Sequence, residues 1–254
     1  MRLLTCLLLI PAVATAAPRE AETGHVSVAA AANLVYVIEP LNSEFERRVP
    51  GAFVTSEVGA SGGLVAQIEN GAPYDVFLSA DTDYPRKLVQ AGGAAADTLV
   101  VFAKGRLVLW TFKPSVPLSS VSEATQGPET TKVAVANPET APYGRAAMEA
   151  LSRLGLTKEV THKLVFGENI SQTAQFVSSG NADVGFVALS LVLSPRLKER
   201  GRWLEVPADL YTPILQAGVL TKRGSDNPAA RRYLEFLSSP EAKAILAQFG
   251  YGIP

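Results

Sequence analysis

Cysteine is almost absent from this sequence, and its scarcity excludes several kinds of site. The one cysteine, Cys6, lies in an N-terminal segment with the features of a signal peptide, so we expect a mature chain without any. Such a chain forms no disulfide and offers no thiol nucleophile or thiolate metal ligand. The two histidines, His25 and His162, stand apart and form no zinc-binding pattern. With 254 residues, 47% of them hydrophobic, the chain is long enough to be held by its core alone.

A surplus of positive charge is also missing. The sequence has 23 Lys and Arg residues against 24 Asp and Glu residues, a formal net charge of −1. We therefore expect no nucleic-acid partner and no basic patch for a membrane surface. Long hydrophobic runs are absent too. The apolar run Leu3–Val13 is short for a bilayer span, and no later stretch is long and apolar enough.

The N-terminus has the three parts of a secretory signal peptide. Met1 and Arg2 supply positive charge, Leu3–Val13 is apolar, and Ala14-Thr15-Ala16 is an A-x-A cleavage pattern. We expect residues 1–17 to be removed near Ala16–Pro18 and the mature protein to reside in the periplasm. Cys6 does not stand where a lipoprotein cysteine would, so the pattern predicts a soluble protein.

Short strand patterns alternate with helix patterns along the rest of the chain, which predicts an α/β fold with mostly parallel sheets. We assign one lobe to residues 18–105 plus 207–254 and a second lobe to residues 106–206. The chain then crosses between the lobes twice. A cleft between two lobes is the natural ligand site, and the crossings are natural hinges.

The most informative stretch is a glycine-rich turn, Gly59-Ala60-Ser61-Gly62-Gly63, between a predicted strand and a predicted helix. The first N–H groups of a helix have no intrahelical partner, and the helix dipole puts partial positive charge there. Glycines let a ligand approach the backbone, and Ser61 adds a hydroxyl donor. Three interpretations stay open for Ser61: a helix N-cap, an oxyanion-binding residue, or the nucleophile of a G-x-S-x-G elbow.

Other predicted helix openings also carry uncharged donors. Asn33 follows the small-residue strand Val26–Ala32, and Tyr143 and Ile170 open two helices of the second lobe. At Asn33, plain capping of a helix beginning at Leu34 is the alternative. A site made only of neutral donors suits a fully deprotonated oxyanion, because every ligand oxygen can then accept a hydrogen bond.

Charged residues near these turns are few. Arg145 stands just inside the helix that Tyr143 opens, and we interpret it as a solvated helix residue. Glu139 and Glu168 are interpreted as loop residues that point to water, and Asp81 as the N-cap of the next helix.

A serine hydrolase built on Ser61 is the alternative from another class. It would need a histidine base, and His162 follows Ser61 in the required chain order. However, His162 is predicted to start a strand, and no HGGG-like oxyanion loop is present. We therefore expect a binding protein and not an enzyme.

Five stretches, in order, resemble the periplasmic molybdate-binding proteins of molybdate ABC transporters. They are VSVAAAANL (Val26–Leu34), GASGGLVAQIENGAPYDVFLSAD (Gly59–Asp81), VAVANPETAPYGRAAMEAL (Val133–Leu151), ENISQTAQFVSSGNADVGFVALS (Glu168–Ser190) and YLEFLSSPEAKAILAQFGY (Tyr233–Tyr251). The resemblance implies a type II periplasmic-binding-protein fold, a monomer without a cofactor. It would capture molybdate, and also tungstate, and deliver it to an inner-membrane permease. Another oxyanion such as sulfate is the alternative ligand.

The resemblance also implies a ligand set. Ser61 matches the family serine after the second strand, Asn33 stands where many members have serine, and Tyr143 and Ile170 match two contacts in the second lobe. One departure is Ala188, where many members place a tyrosine hydroxyl; here Tyr143 would supply the phenol.

Overall fold

Two five-stranded sheets organise the structure, a computed structural model that describes residues 24–254. The predicted signal peptide, residues 1–17, lies outside the described residues. The strands are β1 (Gly24–Ala31), β2 (Ala52–Gly59), β3 (Val76–Ser79), β4 (Val100–Gly105), β5 (Leu107–Thr111), β6 (Val133–Ala136), β7 (Leu164–Gly167), β8 (Val184–Ala188), β9 (Arg202–Glu205) and β10 (Ile214–Leu220). The α-helices are α1 (Ile38–Arg48), α2 (Ser61–Glu69), α3 (Asp83–Gln90), α4 (Val121–Gln126), α5 (Pro142–Arg153), α6 (Thr157–Val160), α7 (Ile170–Ser178), α8 (Leu189–Val192), α9 (Pro228–Phe236) and α10 (Pro240–Gln248). Within residues 24–254, none of the helices has the length and apolar character to cross a membrane.

Each sheet contains one strand that runs against its neighbours. The first sheet has the order β2-β1-β3-β10-β4, in which β10 is antiparallel to both β3 and β4. The second has the order β7-β6-β8-β5-β9, in which β5 is antiparallel to β8 and β9. The α/β class is confirmed, but the expectation of mostly parallel sheets is wrong. The reversed strands, β5 and β10, are the first strands after each lobe crossing, where no crossover helix sets a parallel direction.

Sheet membership follows the predicted division into lobes. The first sheet takes its strands from residues 24–105 and 214–220, and the second takes its strands from residues 107–205. The lobe boundaries at 105/106 and 206/207 remain a prediction, which this membership supports.

Two helix starts differ from the expectation. Asn33 does not cap a long helix: it lies in a 3-10 helix, Ala32–Leu34, and α1 begins only at Ile38. The N-cap of α3 is Thr82 and not Asp81, although Asp81 Oδ1 still accepts a hydrogen bond from the Tyr84 amide at 3.0 Å. In both cases the side chain has distant partners, described below, that local capping preference does not reveal.

Some short elements are not predicted from the sequence. The helices α6 and α8, of four residues each, carry no helical periodicity long enough to recognise. His162, expected to start a strand, lies in the 3-10 helix Thr161–Lys163 that precedes β7.

The Asp183 carboxylate ties three segments of the second lobe together before β8. It accepts hydrogen bonds from the Thr131 amide at 2.7 Å, the Lys132 amide at 3.0 Å, and the Lys113 ammonium at 3.1 Å. Burial alone would raise the pKa of Asp183, but these hydrogen bonds dominate and lower it from 3.8 to about 2.

We therefore expect Asp183 to stabilise the fold above pH 4. A carboxyl whose pKa is lower in the folded state contributes stability that is lost as the pH falls through the folded value. Asp183→Asn should lower the free energy of unfolding at pH 7 by about 2 kcal/mol and flatten its pH dependence between about pH 4 and 2. Urea unfolding at pH 7 and between about pH 4 and 2 measures the free energy of unfolding and its pH dependence. Asp97→Asn, at a side chain that is 76% exposed, is the control. Equal effects of the two substitutions would contradict the prediction.

Candidate functional site

Helix openings from both lobes meet at one small cavity. It contains about 200 Å³ of empty space, part of which is open to solvent. The first lobe lines it with residues at or just after the ends of β1, β2 and β3, and the second lobe with residues at the openings of α5 and α7. The lining residues are Ala31, Ala32, Asn33, Gly59, Ala60, Ser61, Ala80, Ala141, Pro142, Tyr143, Asn169 and Ile170. All four residues predicted from the sequence therefore lie at one cavity, and none of the lining side chains is charged.

Ser61 is the first residue of α2, so it is not the N-cap. That position belongs to Ala60, which makes no side-chain cap. The Ser61 side chain is buried, and its Oγ accepts a hydrogen bond from the Ala80 amide at 3.1 Å. Because Oγ acts as the acceptor in this bond, its own hydrogen remains available to donate to a ligand.

Tyr143 lies in the first turn of α5, where Pro142 is the first residue. Its side chain is buried, and its hydroxyl lies against Gly105, where any side chain would collide with it. Burial, together with the neighbouring phenols of Tyr251 and Tyr211, raises the pKa of Tyr143 well above its ordinary value. The phenol therefore stays protonated and can act as a donor.

Ile170 opens α7 with its backbone. The N-cap residue Asn169 accepts hydrogen bonds at 3.0 Å from the amides of Ser171 and Gln172. The cap thus satisfies the second and third amides of the helix and leaves the Ile170 amide available as a donor.

Asn33 occupies the most constrained position of the four. Its Nδ2 donates to Gln216 Oε1 at 2.8 Å and to Tyr251 Oη at 2.8 Å. Its Oδ1 is buried and has no hydrogen-bond partner within the described residues. Ala188, the departure from the family pattern, is buried at the end of β8 and does not line the cavity.

The interpretation of Arg145 as a solvated helix residue is wrong. Its Nη2 donates across the cleft to Asp81 Oδ2, and its guanidinium lies 5.2 Å from the centre of the Tyr84 ring. Neither Arg145 nor Asp81 lines the cavity, and each neutralises the other. Glu139 and Glu168 are exposed, as expected. The ion pair of Arg145 and Asp81 cannot be recognised from the sequence, because the two residues stand 64 positions apart.

Two more hydrogen bonds join the lobes beside this ion pair. The Gly62 amide donates to Thr140 O at 2.9 Å, and Tyr84 Oη donates to Glu139 O at 2.8 Å. The buried core of the second lobe also continues to Ala31, Ala32 and Ala80 of the first. The lobes are therefore closed on each other around the cavity.

Comparison with known proteins decides the family. Residues 26–252 match the family model for bacterial extracellular solute-binding proteins. The chain is 41% identical over 92% of its length to the molybdate-binding protein ModA of Azotobacter vinelandii, with 92% of that protein covered. It is 42% identical to ModA of Rhodobacter capsulatus, with 91% of this chain and 89% of that protein covered. The chain belongs to the ModA family of bacterial extracellular solute-binding proteins.

The solved structure of a ModA relative supports the same assignment. The periplasmic molybdate-binding protein of Azotobacter vinelandii superposes with a TM-score of 0.85 at 35% identity, covering 90% of this chain and 99% of that one. The type II periplasmic-binding-protein fold is thus confirmed. Members of the ModA family are binding proteins without a cofactor, so this chain is not an enzyme. Within residues 24–254, no cluster of His, Cys, Asp and Glu could hold a metal ion.

Proposed function

We propose that this chain captures molybdate in the periplasm, closes its two lobes around it, and delivers it to the permease of an ABC transporter. Asn33, Ser61, Tyr143 and Ile170 are the proposed ligand contacts, and tungstate is the proposed second ligand. The protein acts as a monomer in this proposal. The observation that carries it is the convergence of neutral donors from both lobes on one small cavity without a charged side chain.

The chemistry of the donors fits a fully deprotonated dianion. Hydroxyl and amide groups at helix openings, together with the helix dipoles, stabilise negative charge without a counter-ion. A carboxylate in the cavity would repel such an ion, and none lines it. Sulfate has the same charge and geometry, so we expect its exclusion to come from cavity size, since a smaller anion cannot reach all the donors at once.

The serine hydrolase alternative has no geometric support. Ser61 Oγ accepts from the Ala80 amide, and His25 Nε2 is hydrogen-bonded to Thr55 Oγ1 at 2.8 Å. His162 lies in an exposed 3-10 turn. Neither histidine lines the cavity around Ser61.

Thermal melting with a panel of anions tests the proposal. At a concentration of 100 Kd, a ligand that binds only the folded state stabilises it by about 2.7 kcal/mol. For a protein of this size we expect molybdate and tungstate to raise Tm by roughly 5–10 °C. Sulfate and phosphate at the same concentration should have little effect. A large shift from sulfate with none from molybdate would discard the proposed ligand.

A further inference from the structure

The buried amide pair formed by Asn33 and Gln216 is incompletely hydrogen-bonded. One bond joins Asn33 Nδ2 to Gln216 Oε1. It leaves Asn33 Oδ1 and Gln216 Nε2 buried without a partner among the described residues. Buried polar side-chain atoms without partners are rare and point to a missing ligand or to a second arrangement of the network.

Of the two amide atoms of Asn33, only Oδ1 has no partner that would hold it away from the cavity. Asn33 lines the cavity, whereas Gln216 and Tyr251, which hold its Nδ2, do not. An amide oxygen accepts hydrogen bonds and cannot donate one. In this orientation Asn33 would repel a fully deprotonated oxyanion.

Rotation of both amides by half a turn reverses this arrangement without moving the backbone. Gln216 Nε2 would then donate to Asn33 Oδ1, so the bond between the two amides is kept with its direction reversed. Tyr251 Oη, which now accepts from Asn33 Nδ2, would donate to Asn33 Oδ1 instead. Asn33 Nδ2 would face the cavity with both hydrogens free for an anion.

The surrounding hydroxyl groups permit both orientations. Tyr251 Oη lies 2.9 Å from Asn33 O and 3.2 Å from Ser190 Oγ, so its hydrogen has alternative acceptors. Ser190 Oγ, from the second lobe, donates to Asn33 O at 2.9 Å and holds the backbone in either state. Burial raises the pKa of Tyr251, so its hydroxyl keeps the hydrogen that the rotated state requires.

We propose that Gln216 is a positioning residue that holds the Asn33 amide with Nδ2 toward the cavity when a deprotonated oxyanion is bound. Gln216 can do so because its own amide both accepts and donates. It also lies beside Tyr143: a side chain at Gly105 would meet both Tyr143 Oη and Gln216 Nε2. The orientation of Asn33 then decides between an anion that only accepts and an anion that still carries a proton. This inference rests on the proposed function of the cavity.

Replacement of Gln216 by a residue that can only accept tests the inference. In Gln216→Glu the ionised carboxylate would fix Asn33 with Nδ2 inward and Oδ1 toward the cavity. At pH 8 we expect molybdate affinity to fall roughly 10- to 100-fold. Inorganic phosphate still carries one proton there, which Asn33 Oδ1 can accept, so the ratio of phosphate to molybdate affinity should rise about tenfold or more.

A neutral variant separates positioning from packing. Gln216→Met has a similar shape but neither accepts nor donates, and Tyr251 can still hold Asn33 Oδ1. We expect a loss of molybdate affinity below about tenfold and an unchanged ratio of phosphate to molybdate affinity. Thermal melting without ligand checks that both variants are folded.

Two results would overturn the inference while leaving the proposed function intact. One is equal loss of molybdate and phosphate affinity in Gln216→Glu, as simple charge repulsion predicts. The other is a Gln216→Glu variant that binds both anions as the wild type does. Failure of the proposed function looks different, since the wild-type protein itself would then not bind molybdate.

Discussion

Replacing Gly62 with alanine is expected to weaken molybdate binding by about 5- to 150-fold while both lobes stay folded. A Cβ at this position would lie 2.5 Å from Tyr84 Oη and 3.1 Å from Thr140 Cα. Tyr84 belongs to the same lobe and its ring can move away, but Thr140 Cα is backbone of the opposite lobe. The methyl group therefore opposes closure, and a ligand that prefers the closed state loses affinity when that state becomes less favourable.

Gly63→Ala is the matched control for this substitution. Gly63 is the next residue of α2, and a Cβ built there meets no described atom within 4 Å. Both substitutions raise helix propensity by up to about 1 kcal/mol, so neither variant should melt below the wild type without ligand. Isothermal titration with molybdate gives the two affinities. Wild-type affinity in Gly62→Ala would show that contact between Gly62 and Thr140 is not needed for binding.

Ser61→Ala is expected to reduce molybdate affinity by roughly 5- to 150-fold. The substitution removes the proposed hydroxyl donor, so a buried charged ligand is left one hydrogen bond short. It also removes the acceptor of the Ala80 amide, which is held at 3.1 Å in the structure. The second effect acts on the protein without ligand as well and should lower its Tm by a few degrees.

Ser122→Ala provides the comparison for Ser61→Ala. Ser122 also lies in the first turn of a helix, α4, but does not line the cavity. The Ser122→Ala variant should bind molybdate with wild-type affinity. A Ser61→Ala variant with unchanged affinity would remove Ser61 from the proposed ligand set, and a Ser122→Ala variant with weakened binding would show that the assay reports general destabilisation.

Closure of the lobes depends on contacts that surround the cavity without lining it. Arg145 and Asp81 pair across the cleft, and Tyr84 lies beneath the guanidinium with its hydroxyl bound to the opposite backbone. The ion pair of Arg145 and Asp81 connects the two lobes outside the cavity, and the residues that line the cavity are uncharged. The prediction of an uncharged site and the correction of Arg145 are therefore compatible.

Local signals explain why so much of the fold was predictable. The helix predicted to begin at Ile170 runs to Ser178 in the structure, because Asn169 caps it and its apolar residues follow a helical period. The small residues around Ser61 and the proline before Tyr143 indicate positions where a strand ends and a helix begins. These signals act within a few positions along the chain, so the sequence displays them directly.

The sequence by itself determined the α/β class, the openings of α2, α5 and α7 and the uncharged residues found there, because these depend on residue type and short spacing. Only the tertiary structure decided what Asn33 and Arg145 do. The partners of Asn33 stand 183 and 218 positions away, at Gln216 and Tyr251. Interactions over such separations arise when the chain returns to the first lobe, and they leave no local pattern by which a residue's role can be recognised.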